Sequence, residues 1–253
     1  MLAHCRALID AVASACVAAK LQLARFEALG ARGIEALGAV AQYARERGLL
    51  VIADGKRGDI DVTARAYAHA LLDGLETRVG TIEGLHADLV TVNPFMGSDS
   101  LEPFVAAARA VEAGVLVLVR TSNQGARDIQ DLRLEDGSAV WESVAKLVTE
   151  LGAPGVGAAG LSDVGAVIGV TEPRHLERAR ALMPSAPFLL PGVGAQGGRV
   201  EDLAPAFAAG RASALVTASR SIADAHARAD GEPAAAARAE AERLRAAAWA
   251  LSG

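Results

Sequence analysis

The sequence has few cysteines, and they do not form a pattern typical of a disulfide framework or a metal site. Cys5 and Cys16 belong to no CxxC motif and to no cluster with histidine, which are the signatures of redox and zinc proteins. The five histidines are scattered, without the spacing of a metal-binding motif. We therefore expect no disulfide, no metal site and a reducing, cytoplasmic environment.

The chain also lacks an excess of positive charge and a long uninterrupted apolar run. Its net charge is -5, from 25 Lys and Arg against 30 Asp and Glu, whereas nucleic acids and anionic membranes attract basic surfaces. The apolar N-terminal segment is interrupted by His4, Arg6 and Asp10, unlike a signal-peptide core or a membrane span. We therefore predict no nucleic-acid or membrane partner, and an N-terminal helix that faces the core.

What the sequence does contain is a regular alternation of short apolar runs and longer amphipathic segments. With 253 residues, 52 % of them hydrophobic, and no compositional break, residues 1–253 are predicted to form a single domain. Apolar runs rich in β-branched residues predict strands at 17–22, 49–54, 89–93, 115–120, 164–170, 188–191 and 214–218. Helices are predicted at 33–47, 62–75, 100–113, 138–151, 173–182 and 233–251. This order is typical of a parallel sheet covered by helices.

Seven predicted strands are one short of a (β/α)₈ barrel, a fold that typically occupies about 250 residues. The unusual polar residues follow the strands, where barrel enzymes place their functional groups. We therefore predict a TIM-type (β/α)₈ barrel whose first strand is missing, which would leave two sheet edges exposed. A doubly wound open sheet is the structural alternative.

The segment VIADGKRGDI has the highest concentration of charge beside an apolar strand. It places Asp54, Lys56 and Asp59 within six positions, and an extended strand would direct Asp54 and Lys56 to the same side. Lys20 ends the preceding apolar run, where a neighbouring strand would bring it within reach of Asp54. The alternative is a solvated loop with incidental ion pairs and an exposed Lys20.

A second candidate site combines a glycine-rich turn with an arginine. Residues 191–198 (PGVGAQGG) follow one predicted strand, and Arg220 follows the next. Glycines allow backbone N–H groups to approach an anion, and arginine binds phosphate in a bidentate manner. These residues predict a phosphate site. The alternative is a glycine-rich turn and an unrelated surface arginine. No GxSxG elbow surrounds Ser122, so a hydrolase triad is not indicated.

Several ordered motifs resemble one enzyme family. They are KLQLARFEALG from Lys20, ADGKRGDI from Ala53, TVNPFMGSDSL, RTSN, LPGVGAQGGR and SRSI. Together they are similar to the orotidine 5'-phosphate decarboxylases, in particular the bacterial subgroup with a KRGD motif, over the range from Lys20 to Ile222. The resemblance implies conversion of orotidine monophosphate to uridine monophosphate in de novo pyrimidine biosynthesis, without a cofactor.

The resemblance also implies roles for individual residues. Lys20, Asp54, Lys56 and Asp59 match the family's alternating Lys-Asp-Lys-Asp array, with Lys56 as the proton donor. In a homodimer, Asp59 and Thr63 would reach the site of the neighbouring subunit.

The remaining matched residues are expected to bind the substrate. Ser122 matches the serine that hydrogen-bonds the pyrimidine. Gln196 and Arg220 match the phosphate-binding pair. Pro191 begins the glycine-rich loop that contains Gln196.

The sequence also departs from the family. Nothing before Lys20 resembles the family's first strand, which ends in a Gly-Ile-Asp-Pro-like segment. One alternative is therefore an inactive truncated paralogue. Another is a related sugar-phosphate decarboxylase or aldolase that uses magnesium, because a DxKxxD strand also occurs there.

Overall fold

Strands and helices alternate along the chain. The computed structural model describes residues 1–170, 174–194, 197–228 and 231–252. In these ranges the strands are β1 (Ala18–Gln22), β2 (Leu50–Arg57), β3 (Leu75–Thr77), β4 (Gly80–Ile82), β5 (Leu89–Val92), β6 (Gly114–Arg120), β7 (Val164–Ile168), β8 (Phe188–Leu190) and β9 (Ala214–Val216). The α-helices are α1 (Leu2–Val12), α2 (Leu23–Glu27), α3 (Ala31–Glu46), α4 (Asp61–Leu71), α5 (Ser98–Ala110), α6 (Val140–Gly152), α7 (Arg174–Leu182), α8 (Arg220–Ala223) and α9 (Pro233–Leu251). Short 3₁₀ helices cover Gln124–Asp128, Ala153–Gly155, Val200–Phe207, Arg211–Ser213 and Ala225–Ala227.

The main sheet has seven strands in the order β1-β2-β5-β6-β7-β8-β9. Every neighbouring pair is parallel. A doubly wound sheet would reverse its strand order at a switch point, so that alternative is wrong. The predicted barrel-type alternation of parallel strands and helices is confirmed, and the described residues supply seven strands of it. Among the described residues no strand joins β1 to β9, which form the two edges of the sheet.

Two apolar layers lie on opposite faces of this sheet. One face carries a compact cluster to which all seven strands contribute, and it forms the interior of the curled sheet. Its members are Ala18, Ile52, Leu89, Leu116, Leu118, Val167, Leu189 and Leu215. The alternate positions, such as Val51, Val90 and Val115, belong to the larger core between the sheet and the helices. This period-two division is what strand geometry requires.

The helices cover the outer face of the sheet. Helix α1 buries Ile9, Ala11 and Val12, which confirms the predicted core-facing N-terminal helix. The predicted helix 173–182 is observed as α7 from Arg174, and Pro173 lies outside the described residues. No helix in the described ranges has both the length and the apolar character needed to cross a membrane.

The structure differs from the sequence prediction between α4 and β5. The predicted helix 62–75 ends at Leu71, and an antiparallel hairpin of β3 and β4 follows. Gly74 has φ +79°, and a side chain there would lie 2.7 Å from the Ile82 carbonyl oxygen. Glycine therefore permits both the turn out of the helix and the close return of the hairpin.

Candidate active site

A polar layer lies directly above the apolar interior, at the carboxyl ends of neighbouring strands. On β1, β2 and β5, the interior residues Ala18, Ile52 and Leu89 are each followed two positions later by Lys20, Asp54 and Thr91. Since side chains alternate along a strand, these three polar residues face the same interior. The strands are adjacent and parallel, so the polar groups meet at the mouth of the curled sheet.

Asp54 is the centre of this polar layer. The Lys20 ammonium donates to Asp54 Oδ2 at 2.6 Å, and the Lys56 ammonium donates to Asp54 Oδ1. The Asp54 carboxylate is buried, whereas the Lys56 side chain is 42 % exposed. Burial alone would raise the pKa of Asp54, but the two lysines outweigh it and hold that pKa below its ordinary value. The array therefore places an ionised carboxylate between two lysine side chains at the open mouth of the curled sheet.

The backbone at Lys56 departs from regular strand geometry. Its φ is +48°, and the register of β2 against β5 shifts between Ala53 and Arg57. The Lys56 N–H donates to the Thr91 hydroxyl at 2.9 Å. Left-handed backbone is uncommon for a residue with a side chain and marks a local constraint. The irregularity directs the Lys56 ammonium back to Asp54.

Asp59, the fourth residue of the predicted array, lies apart from the other three. Its Oδ1 accepts the Ile60 N–H at 2.8 Å, and it forms no ion pair with any residue in the described ranges. Thr63 is exposed in the first turn of α4. Within one chain, the structure therefore brings Lys20, Asp54 and Lys56 together, but not Asp59 and Thr63.

Two of the sequence motifs contact each other at the end of β2. Arg57 of the KRGD motif forms an ion pair with Glu27 at the end of α2, and its guanidinium lies 5.4 Å from the centre of the Tyr67 ring. Arg57 thus links β2 to α2 and α4. This contact fixes the strand end that carries Lys56.

Ser122 lies in the loop after β6, against the backbone that follows β7. The Gly169 N–H donates to the Arg120 carbonyl oxygen at 2.6 Å. A Cβ atom at Gly169 would lie 2.5 Å from the Ser122 nitrogen and 2.8 Å from its Cβ. Gly169 therefore permits the close approach that sets the position of Ser122.

Gly169→Ala is expected to displace Ser122 and to lower kcat/KM by about 10- to 100-fold, because small displacements of positioning groups carry penalties of this size. Steady-state kinetics would measure the change. Gly38→Ala is the matched control, since a Cβ there meets nothing within 4 Å, and it should retain full activity. Equal activities of the two variants would contradict the role of Gly169.

The glycine-rich loop follows β8 and folds back on itself. The Gly194 N–H donates to the Gly198 carbonyl oxygen at 2.9 Å, and the Gly198 N–H donates to that of Gly192 at 3.0 Å. Pro191 is half-buried at the start of the loop, and its carbonyl oxygen accepts the Val170 N–H at 3.2 Å. Gln196 lies outside the described residues.

Helix α8 begins beside this loop. A Cβ atom at Gly194 would lie 3.2 Å from Ser221 Cβ, so the loop after β8 contacts the start of α8. The exposed Arg220 side chain forms no hydrogen bond or ion pair with any described residue. The buried Ser221 hydroxyl has no hydrogen-bond partner among the described residues, although buried polar groups are normally paired. The glycine-rich loop therefore contacts Ser221, and Arg220 precedes this residue directly in the chain.

The arrangement has a defined chemical capacity. The described residues contain no group of three or more His, Cys, Asp or Glu side chains placed to hold a metal ion. The Lys20-Asp54-Lys56 array can stabilise negative charge that develops nearby and can supply a proton. The loop after β8 and the start of α8 can bind an anion.

Comparisons with known proteins agree on one family. Residues 2–239 match the sequence profile of the orotidine 5'-phosphate decarboxylase / HUMPS family. The orotidine 5'-phosphate decarboxylase of Rhodopirellula baltica is 46 % identical over 224 residues, which are 88 % of this chain and 73 % of that protein. That of Deinococcus radiodurans is 47 % identical over 211 residues, 83 % of this chain and 71 % of that protein.

Solved structures show the same relationship. The structure of Leishmania donovani OMP decarboxylase is 34 % identical, with a TM-score of 0.76, and the match covers 98 % of this chain and 88 % of that one. Leishmania donovani UMP synthase is 36 % identical, with a TM-score of 0.77, and this chain spans 50 % of its length. The family predicted from the motifs is confirmed: the chain belongs to the orotidine 5'-phosphate decarboxylase / HUMPS family.

Proposed function

We propose that this chain, acting as one barrel domain, converts orotidine monophosphate to uridine monophosphate and CO₂, with Lys56 as the proton donor. The family and the named relatives support this decarboxylase function and its place in pyrimidine biosynthesis. The observation that carries the mechanism is the contact of Lys20 and Lys56 with the two oxygens of the buried Asp54.

The chemistry follows from this charge arrangement. When CO₂ leaves, the bond between the pyrimidine and its carboxylate breaks, and the electron pair remains on the ring carbon. The Lys56 ammonium stabilises that negative charge and then transfers a proton to the carbon. Asp54 holds the ammonium in position, and each opposite charge at about 4 Å contributes up to about 4 kcal/mol at an effective dielectric constant near 20. Preorganised charge of this kind needs no cofactor.

The substrate would be held at two places. Ser122 would hydrogen-bond the pyrimidine. The phosphate would bind to Gln196, Arg220 and the loop that begins at Pro191. The Ser221 hydroxyl, which has no partner among the described residues, adds a donor that the sequence did not indicate. Binding energy from the non-reacting phosphate would orient the ring over the lysines.

A homodimer would account for the residues that lie apart from the array. Asp59 and Thr63 would then complete the neighbouring subunit's site. Apolar side chains next to them in the chain are exposed, Ile60 at 54 % and Val62 at 66 %. An exposed apolar patch of this kind is typical of a protein interface, and a second copy of the chain fits it.

We further place the enzyme in the cytoplasm, in keeping with the two free cysteines.

A direct assay tests the proposed function. Loss of orotidine monophosphate absorbance is followed for the 253-residue chain in EDTA and in added magnesium. We expect equal turnover in both, because the charge array itself supplies the stabilisation. Turnover that EDTA abolishes would favour the magnesium-dependent alternative. Binding of uridine monophosphate without turnover of orotidine monophosphate would favour the inactive paralogue.

A further inference from the structure

Thr91 is a polar residue in an otherwise apolar strand. It lies in β5, between Val90 and Val92, and all three residues are fully buried. A buried hydroxyl is costly unless it is hydrogen-bonded, so the contacts of Thr91 indicate why it is tolerated.

The Thr91 hydroxyl uses both its donor and its acceptor capacity within the array. It donates to Asp54 Oδ1 at 3.0 Å and accepts the Lys56 N–H at 2.9 Å. The same Asp54 oxygen receives the Lys56 ammonium. One hydroxyl therefore links the backbone of Lys56 to the carboxylate that binds its side chain.

The Thr91 hydroxyl lies where β2 loses its regular pairing with β5. At the register shift between Ala53 and Arg57, β5 provides no regular ladder partner for the Lys56 N–H. The Thr91 hydroxyl replaces that partner and holds Lys56 at φ +48°. We infer that Thr91 is a positioning residue, which fixes the Lys56 ammonium against Asp54 for proton transfer.

Loss of the hydroxyl would have two direct effects. The Lys56 N–H would lose its acceptor, and a partly buried unpaired N–H destabilises the conformation that requires it. Asp54 would lose a donor that fixes its side-chain orientation. The Lys56 ammonium would then occupy a wider range of positions, whereas the phosphate contacts on the opposite strands would be unchanged. The loss should therefore appear in kcat more than in KM.

The inference rests on the proposed function, and the experiment separates the two. Thr91→Val removes the hydroxyl at nearly constant volume, and Thr91→Ser retains it. We expect Thr91→Val to lower kcat by about 10- to 100-fold with KM changed by less than about threefold, and Thr91→Ser to stay within about threefold of wild type. Hydrogen exchange of the Lys56 amide should be faster in Thr91→Val than in the other two proteins, because its acceptor is lost.

Controls distinguish positioning from a general loss of stability. Thr149→Val removes another intramolecular hydroxyl contact, a 2.8 Å bond to the Leu182 carbonyl oxygen, and should retain wild-type kcat. Thr91→Ala serves as a second hydroxyl-free variant if Thr91→Val does not fold.

Each outcome has a defined meaning. If wild type turns over and the hydroxyl-free variant keeps kcat within threefold, the positioning role is wrong. If wild type does not turn over, the proposed function fails. Hydrogen exchange of the Lys56 amide then tests the positioning role by itself: faster exchange in Thr91→Val supports that role, and unchanged exchange overturns it.

Discussion

Lys56→Ala is expected to lower kcat for decarboxylation by about 10⁴-fold or more, because it removes the proposed proton donor and a cation that would stabilise the developing negative charge. In the folded protein the Lys56 ammonium contacts Asp54 and is 42 % exposed at the mouth of the curled sheet. It can therefore reach a bound ligand while remaining paired. Lys20 still neutralises Asp54 after the change, so the fold should be retained.

The measurement is a comparison of single-turnover rates at saturating orotidine monophosphate. Lys146→Ala is the matched control, since Lys146 is 50 % exposed and lies 3.8 Å from Asp136, its ion-pair partner on the surface. We expect wild-type rates from this control and a similar thermal midpoint for both variants. A Lys56→Ala enzyme within tenfold of wild type would exclude Lys56 as the proton donor.

Much of the fold could be predicted because parallel strands that are buried on both faces are continuous apolar runs. The runs at 89–93 and 188–191, for example, are observed as β5 (Leu89–Val92) and β8 (Phe188–Leu190). The predicted end of β2 at residue 54 was wrong, since the strand continues to Arg57. The last residues of β2 are polar, and Lys56 has a left-handed backbone conformation. The spacing of apolar residues does not predict an irregularity of this kind. The β3–β4 hairpin was missed because each strand has only three residues and is mostly exposed, so neither forms an apolar run.

The charged residues of the candidate site could be predicted from the sequence, whereas its uncharged residues Thr91 and Gly169 could not. Lys20, Asp54 and Lys56 are charged residues at the ends of apolar strands, and the structure brings them into contact. Thr91 is a β-branched residue in an apolar run and is indistinguishable from an ordinary strand residue. Gly169 acts only through a close approach to Ser122, and a contact between distant segments is not readable from one sequence. The roles of Asp59 and Thr63 depend on a second subunit and stay predictions.

A buried arginine stabilises the start of β8 and β9, the strands that lead to the proposed phosphate site. The sequence analysis did not single out this residue. Arg180 of α7 is 8 % exposed and donates to the carbonyl oxygens of Met183, Pro184, Ala186, Ala206 and Ser213 at 2.7 to 3.3 Å. Its guanidinium lies 3.8 Å from the centre of the Phe188 ring in β8. One side chain therefore joins α7 to the segments that immediately precede β8 and β9.

Arg180→Met is expected to lower the free energy of unfolding by about 3 to 5 kcal/mol, because these buried carbonyl groups lose a charged hydrogen-bond donor. Urea denaturation would measure the loss. Arg199→Met is the control, since Arg199 is 71 % exposed and forms a 3.4 Å ion pair with Glu201, and a change within about 0.5 kcal/mol is expected there. Arg180→Lys keeps the charge with fewer donors and should fall between them.

The pH dependence of this loss distinguishes a charged guanidinium from a neutral one. Burial lowers the pKa of Arg180 to about 10, which is below the value of an unfolded chain. Between these two values the unfolded state binds more protons, so wild-type stability would gain from rising pH only above about pH 10. Between pH 6 and 8 Arg180 is protonated in both states, and the difference between wild type and Arg180→Met should be constant. A difference that changes across pH 6 to 8 would mean that another titrating group, not the Arg180 guanidinium alone, supports the start of β8 and β9.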